Sequence, residues 1–478
     1  MKTPSARRTM VAIGVCIAIA LYETLLLGNF RLALLAPESM DHVFGSMLDH
    51  LLQGRFDIDR AAIGSESFTR DGKTYAYFGI FPALLRLLVM PFADVTQASV
   101  SRLSCMVAML LYVLTQLRTL MLVHVAVPPE QRSQTLLIVM LIATALSGPQ
   151  IYLLGSAWVF HEPVFWAAAM GGAFNLVVLR RLLLGARLNA ADLAVMALLA
   201  GLALNTRASV GAALSVATGL VVLWMALERG AWSLRGTARG LLDARVVAPA
   251  LVLGVFVLAV CIVNAERWGN PFKFADFQYY DFAKRQPWRM PVILGQGELS
   301  PSRIPVSVLY YATGIPYLLK GISPFAEYFR AHFDGLEAPP MSGLIVNPLT
   351  VILAGLGLYR LVRQPPTGAV ILRLVLIGHA TAVILVFSAM YLAMRYRMDF
   401  APFMTLAGFV GYPVASAALT ASRYRCAWRR AAIALCVLGI VSSHYVLVIH
   451  KVWSPGVQRD IRLQFLPYAP FAHAALDQ

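Results

Sequence analysis

The chain has 478 residues, of which 59% are hydrophobic and 13% charged, and it carries a formal net charge of +16 with a mean hydropathy of +0.69. Apolar runs of about 20 residues, each enough to cross a bilayer, recur along it, so the composition defines an all-α polytopic membrane protein. The basic residues sit between those runs and form no basic domain, which excludes nucleic acid as the partner and points to lipid headgroups and membrane orientation.

Residues 1–29 make a cytoplasmic N-terminus and a first span. Lys2, Arg7 and Arg8 precede the apolar stretch Thr9 to Asn29, and no small-residue cleavage site follows it convincingly, so it reads as a retained anchor. Residues 30–99 form an outer loop with interfacial helices. The transmembrane core, 100–264, offers spans at Val100 to Val125, Thr135 to Leu154, Ala157 to Val178, Leu188 to Leu204, Ser209 to Leu227 and Val246 to Asn264. A large outer loop covers 265–341. The C-terminal transmembrane helices, 342–450, fall at Ser342 to Leu361, Leu374 to Leu392, Ala401 to Ala421 and Ala431 to Ile449. An outer tail, 451–478, ends the chain, and the total is about eleven spans. Cys16, Cys105, Cys261 and Cys436 lie inside apolar runs and Cys426 between two, so neither a disulfide framework nor a zinc spacing is present.

Charge decides the orientation. If Tyr77 to Ala93 stays uncrossed, Arg132, the group Arg180, Arg181 and Arg187, the group Arg229 to Arg245, Arg363, and the group Arg423 to Arg430 all face the cytoplasm, as short basic loops do. The segment Tyr77 to Ala93, with Pro82, Arg86 and Pro91, is therefore expected to lie in the outer interface. The N-terminus is expected inside and the C-terminus outside. Arg207, Arg395 and Arg397 then stand on the outer side against the positive-inside bias, with phosphate as their natural counter-charge.

Asp41, just beyond the first span, has two readings: a general base that takes a proton from an attacking hydroxyl, or an N-cap for the segment Val43 to Gln53. Asp41 or His42 with His50 could bind a metal, but two turns separate the histidines, which ranks this below a solvated polar face. His161-Glu162 precedes Pro163 without the second histidine of a zinc helix, leaving Glu162 as either a substrate ligand or a favourable charge at a helix N-terminus. Asn205-Thr206-Arg207 is a tight hairpin, and Met394 to Asp399 sets Arg395 and Arg397 around Tyr396. Each arginine could snorkel to headgroups or grip a phosphate, and two such turns on one face favour the second. In the large loop the aromatics Trp268, Phe272, Phe274, Tyr279, Tyr280, Phe282 and Trp288 could stack on sugars or form an interfacial belt. Val306 to Leu319 and Phe325 to Phe333 read as amphipathic surface helices.

Taken in order, these segments resemble the GT-C membrane glycosyltransferases of the protein O-mannosyltransferase and aminoarabinose-transferase kind. Asp41-His42-Val43-Phe44 is similar to their Asp-Glu-x-x-Tyr entry, with His42 in the acidic second position. Lys73 to Pro82 resembles their first-loop turn, Leu204 to Arg207 their donor-phosphate segment, and Arg395-Tyr396 a late Arg-Tyr element. The resemblance covers most of Thr9 to Phe403. It implies an enzyme of a bacterial-type inner membrane that moves a sugar from a polyprenyl-phosphate donor to a glycan, lipid or protein acceptor on the outer, periplasmic face. A phosphate leaving group needs little protonation, so one base and a cationic clamp suffice, unlike the two carboxylates of many glycosidases. Asp41 is then the base of an inverting displacement. Arg207, Arg395 and Arg397 contact phosphate, and Lys73, Glu162, His42 and Tyr396 are further substrate contacts. No cofactor or metal is expected. The rival readings are a transporter or flippase of a lipid-linked glycan, against which an odd span number and the absence of an inverted repeat argue, a glycan ligase or polymerase, and a noncatalytic assembly protein.

Overall fold

In hydrocarbon a backbone can satisfy its own polar groups only as a helix or a closed barrel, and this chain takes the first course. The computed structural model describes residues 4–229, 233, 243–286, 289–337 and 342–453. Lys2, Arg235, Arg239, Trp288 and the tail from 454 onward lie outside the described residues. Eleven helices follow the expected spans: α1 (Pro4–Leu27), α2 (Ser101–Ala126), α3 (Gln134–Leu146), α4 (His161–Leu183), α5 (Ala190–Leu204), α6 (Ala208–Arg229), α7 (Ala244–Trp268), α8 (Pro348–Arg363), α9 (Ala369–Ser388), α10 (Ala401–Ala421) and α11 (Arg425–Trp453). Among the described residues, nine helical stretches are long and apolar enough to cross a membrane. The other two, α5 and α8, have 15 and 16 residues, short of the roughly 20 that a straight crossing takes. A capping box at Asn189 and Asp192 starts α5 and the Asn205 turn ends it, while Asn347 cuts the short helix Gly343–Val346 away from α8.

Small residues let the helices meet closely. A side chain on Gly357 of α8 would run into the backbone at Ala407, and one on Gly411 of α10 into the backbone at Leu353. Further pairs are α2 with α4, α6 with α9, and α5 with both α6 and α7. One core of buried aliphatic residues runs through most of these helices.

The loops at one end fold together. The first loop carries a helix, Val43–Leu52, and a hairpin of β1 (Phe68–Arg70) and β2 (Lys73–Tyr75) in antiparallel register. Asp71 and Gly72 turn it with φ of 51° and 74°, both left-handed as a two-residue turn of this twist demands. In the segment Tyr77 to Ala93 only Phe81–Leu85 and Arg86–Leu88 are helical, far too short to cross. The large loop adds Ile304–Thr313, Ile315–Leu319 and Phe325–His332. Phe68 ties the two loops together, its ring stacked 4.9 Å from Tyr280 and edge-on 5.4 Å from Trp268. Trp268 is therefore core rather than a sugar platform or a belt, and Tyr280 is tied to it through Phe68. A short parallel pairing of Gly335–Leu336 with Tyr391–Leu392 brings the large loop to the C-terminal end of α9.

Candidate functional site: two chambers with a shared wall

The site begins where the first loop lands on the α5–α6 hairpin. Phe81 N donates to Asn205 O at 2.9 Å, and Gly79 lies so close to the Asn205 carbonyl that any Cβ would overlap it. The next residue but one, Arg207, donates from Nε to Asp399 Oδ1 at 2.5 Å, and Ser209 Oγ donates to the other oxygen at 2.8 Å. Among the described residues only Nε of this guanidinium is hydrogen-bonded. Burial works against the Arg207 charge, and Asp399 more than offsets it, holding the group above its ordinary pKa. Its carbon centre lies 5.0 Å from the Tyr396 ring centroid.

These residues line a first chamber of about 580 Å³. Its deep part is apolar and polypeptide-walled at the level of the spans: Leu204 of α5, Ala212 of α6, Val260 and Val263 of α7, Leu385 and Val386 of α9. Its upper part meets Arg207, Lys273 and the exposed rings of Phe272 and Phe274. Lys273 pairs with Asp276 at 2.8 Å.

A second chamber of about 540 Å³ lies under the large loop. Arg395 sits there with Nη1 3.1 Å from both oxygens of Glu337 and over the Phe160 ring at 4.7 Å. Arg289 is bidentate to Asp334, and Tyr280 donates to Glu66 at 2.5 Å. Tyr77, Phe160, Glu298, Leu299, Ala389 and Tyr396 line both chambers. Tyr396 is thus the one sequence-chosen residue on the shared wall, with Arg207 on one side of it and Arg395 at 5.3 Å on the other.

The remaining expected site residues lie elsewhere. Asp41 is buried and lines neither chamber. Its Oδ1 accepts from Ser101 N at 3.2 Å and its Oδ2 from Glu38 N at 3.3 Å, so it caps the head of α2, where a carboxylate suits the free amides. The N-cap of Val43–Leu52 is His42, without a side-chain bond, so Asp41 does not cap that helix either. Glu162 is fully buried in a bidentate pair with Arg86, 2.8 Å at Nη2–Oε2, and accepts from Ser104 Oγ at 2.5 Å. Lys73 is exposed at the start of β2, outside both chambers. Arg397 is turned away, donating to the carbonyls of Tyr310 (3.2 Å) and Tyr311 (3.4 Å). Residues 394–400 form a 3₁₀ turn, whose three-residue period sends positions i and i+2 to different sides, so the paired-arginine clamp splits.

Sequence reasoning missed Glu298, Lys273 and Arg86 as functional or structural centres. Burial pushes the Glu298 carboxyl up to about 7, against the opposing pull of Lys273. Its only sequence signal is a lone acid following Gly297 between short apolar helices. Among the described residues no group of three or more His, Cys, Asp or Glu is arranged to hold a metal.

Fold and site together define a polytopic helical membrane protein whose loop end encloses a lipid-level chamber joined to a polar one. No protein-family model matches the chain, and no curated protein matches it by sequence. Solved structures do. The archaeal oligosaccharyltransferase AglB of Archaeoglobus fulgidus, in complex with an inhibitory peptide and a dolichol-phosphate, matches over 96% of this chain and 60% of its own at 13% identity and a TM-score of 0.47. Its apo form gives 95%, 59%, 13% and 0.47. ArnT of Cupriavidus metallidurans, bound to undecaprenyl phosphate, matches over 98% and 76% at 14% identity and a TM-score of 0.40. The chain spans about 60% of the length of the archaeal one.

Proposed function

We propose that this protein is a GT-C-type glycosyltransferase that takes a sugar from a polyprenyl-phosphate donor and passes it to an acceptor on the outer, periplasmic face of the membrane, with inversion at the anomeric carbon. The carrying observation is the first chamber: an apolar compartment between α5, α6, α7 and α9 that ends on the cations Arg207 and Lys273. An isoprenoid chain suits the apolar part and a phosphate suits the cations. A guanidinium has five donors in a planar fork, and the bond to Asp399 takes one, so Arg207 is held in place and still offers a phosphate its terminal amino groups. Breaking the sugar–phosphate bond leaves a phosphate whose charge these cations stabilise as it develops. Arg395 and Tyr396 border the place where the sugar would project into the second chamber. Asp41, with both oxygens on backbone amides, serves this reading by holding the first loop against α2.

The test is binding of a long-chain polyprenyl phosphate to the purified full-length chain, followed by release of label from polyprenyl-phosphate hexoses and pentoses. Binding that depends on Arg207 supports the reading, and lack of binding sinks it. A flippase would instead move the intact lipid-linked sugar across vesicles without release of polyprenyl phosphate.

A further inference from the structure

Six carboxylates line the two chambers or pair with a lining cation there. Asp399 is held by Arg207 and Ser209, Glu337 by Arg395, Asp334 by Arg289, Glu66 by Tyr280 and Asp276 by Lys273. The side chain of the sixth, Glu298, accepts no hydrogen bond among the described residues, and Glu298 lines both chambers. Its backbone is fixed from two sides. Met390 N donates to its carbonyl at 3.1 Å, Ser300 N to Ser388 O at 2.8 Å, and Arg303 spans the Gly297 and Glu298 carbonyls at 2.9 and 3.1 Å. The result is a half-buried, unengaged carboxylate on a rigid turn, at the boundary between the lipid-level compartment and the polar one.

The second chamber also has a chemical preference. Glu66, Glu298, Asp334 and Glu337 face only Arg289 and Arg395 among its fully charged residues, alongside the rings of Trp158, Phe282 and Tyr391. An excess of acid repels an anionic acceptor, whereas carboxylates accept hydrogen bonds from hydroxyls and aromatic walls cover apolar sugar faces.

We propose that the second chamber is the acceptor site, that it takes the hydroxyl of an uncharged glycan, and that Glu298 is the general base that deprotonates it. This rests on the glycosyl-transfer reading and deepens it. The acceptor oxygen forms the new bond to the anomeric carbon as its proton passes to a Glu298 oxygen. The anomeric carbon–oxygen bond to phosphate breaks, and the electron pair leaves on polyprenyl phosphate beside Arg207. A carboxyl with a pKa near 7 is matched to work at neutral pH. Lys273 and Asp276 are the charged groups whose fields reach it.

The experiment uses the full chain in lipid nanodiscs. Polyprenyl phosphate binding is measured first, then transfer from sugar-labelled polyprenyl-phosphate hexoses and pentoses to neutral alkyl glycosides and to their phosphorylated counterparts, across pH. The expected result is label on the neutral acceptors, a rate that rises with pH through about 7, and a Glu298→Gln variant that binds polyprenyl phosphate normally but transfers ~10²–10⁴-fold more slowly. Glu298→Asp should restore part of the rate with the acid limb moved lower. Turnover of Glu298→Gln at the wild-type rate overturns the base, and label on the phosphorylated acceptors alone overturns the acceptor class. A wild-type chain that fails to bind polyprenyl phosphate, or binds it and moves no sugar from any donor, overturns the transferase reading and the role of Glu298 with it.

Discussion

Arg207 and Asp399, 192 positions apart in the chain, meet at 2.5 Å beside the ring of Tyr396, and this pair fixes the cationic end of the lipid-level chamber. Replacing Arg207 with Met should weaken polyprenyl phosphate binding about ten- to hundredfold, the range for a charge-assisted hydrogen bond of about 1.5–3 kcal/mol. Lys should recover part of this, because it keeps charge but loses the fork. Arg397→Met, in contrast, should lower thermal stability with little change in binding per folded molecule. Equal binding losses at both positions, measured by lipid titration of the purified variants, would restore the undivided clamp.

Asp41→Asn should cost about 1–3 kcal/mol of stability, because the amide accepts from only one of the two backbone N–H groups that the carboxylate holds and leaves the other unsatisfied, while folded protein keeps most of its turnover. A folded Asn variant with transfer abolished would return the base to Asp41. Comparing thermal midpoints with the rate per folded molecule separates the outcomes.

Glu162→Gln should be far more damaging, on the order of 3–5 kcal/mol, because it strands the Arg86 charge in a buried site. Detergent-solubilised yield and unfolding temperature report it. A variant as stable as wild type would mean that water reaches Arg86.

Glu298 gives a stability signature opposite to that of a paired carboxylate. Its folded-state pKa, about 7, lies above the ordinary value of 4.5, so the folded chain binds the extra proton. The contribution is fully favourable below the unfolded value and is lost as pH rises through about 7. Glu298→Gln should therefore flatten this part of the stability–pH curve while it removes transfer. A curve of unchanged slope would place Glu298 in contact with solvent.

Orientation is tested with cysteines at Ser65 or Gln278 and at Glu130, in a background lacking the exposed Cys426. Reaction of the first two with an impermeant reagent in intact cells, and none at Glu130, is expected. The reverse pattern would invert every loop.

The spans were legible because apolar length alone marks a membrane helix, and each expected span has its helix. Charge that broke an orientation rule drew attention to Arg207 and Arg395, and the structure sets them on the linings of the two chambers. Asp41 and Glu162 drew notice for the right reason, since acids at membrane helix ends need partners, but sequence could not tell an amide or a buried Arg86 from a substrate. Arg397 went astray because a 3₁₀ turn and an extended segment look alike over six residues. Glu298 was invisible: its character comes from Ser388 and Met390, some 90 positions away, and from burial that no local pattern records.

If the proposed transfer holds, the shared wall of Tyr77, Phe160, Glu298 and Tyr396 would also sort the products as they form. The spent carrier would be left in the compartment whose other walls are membrane-level helices, and the lengthened acceptor in the one beside the large loop, so that neither would have to clear the other's path. A long acceptor chain would then stay seated while one carrier after another is exchanged beside it.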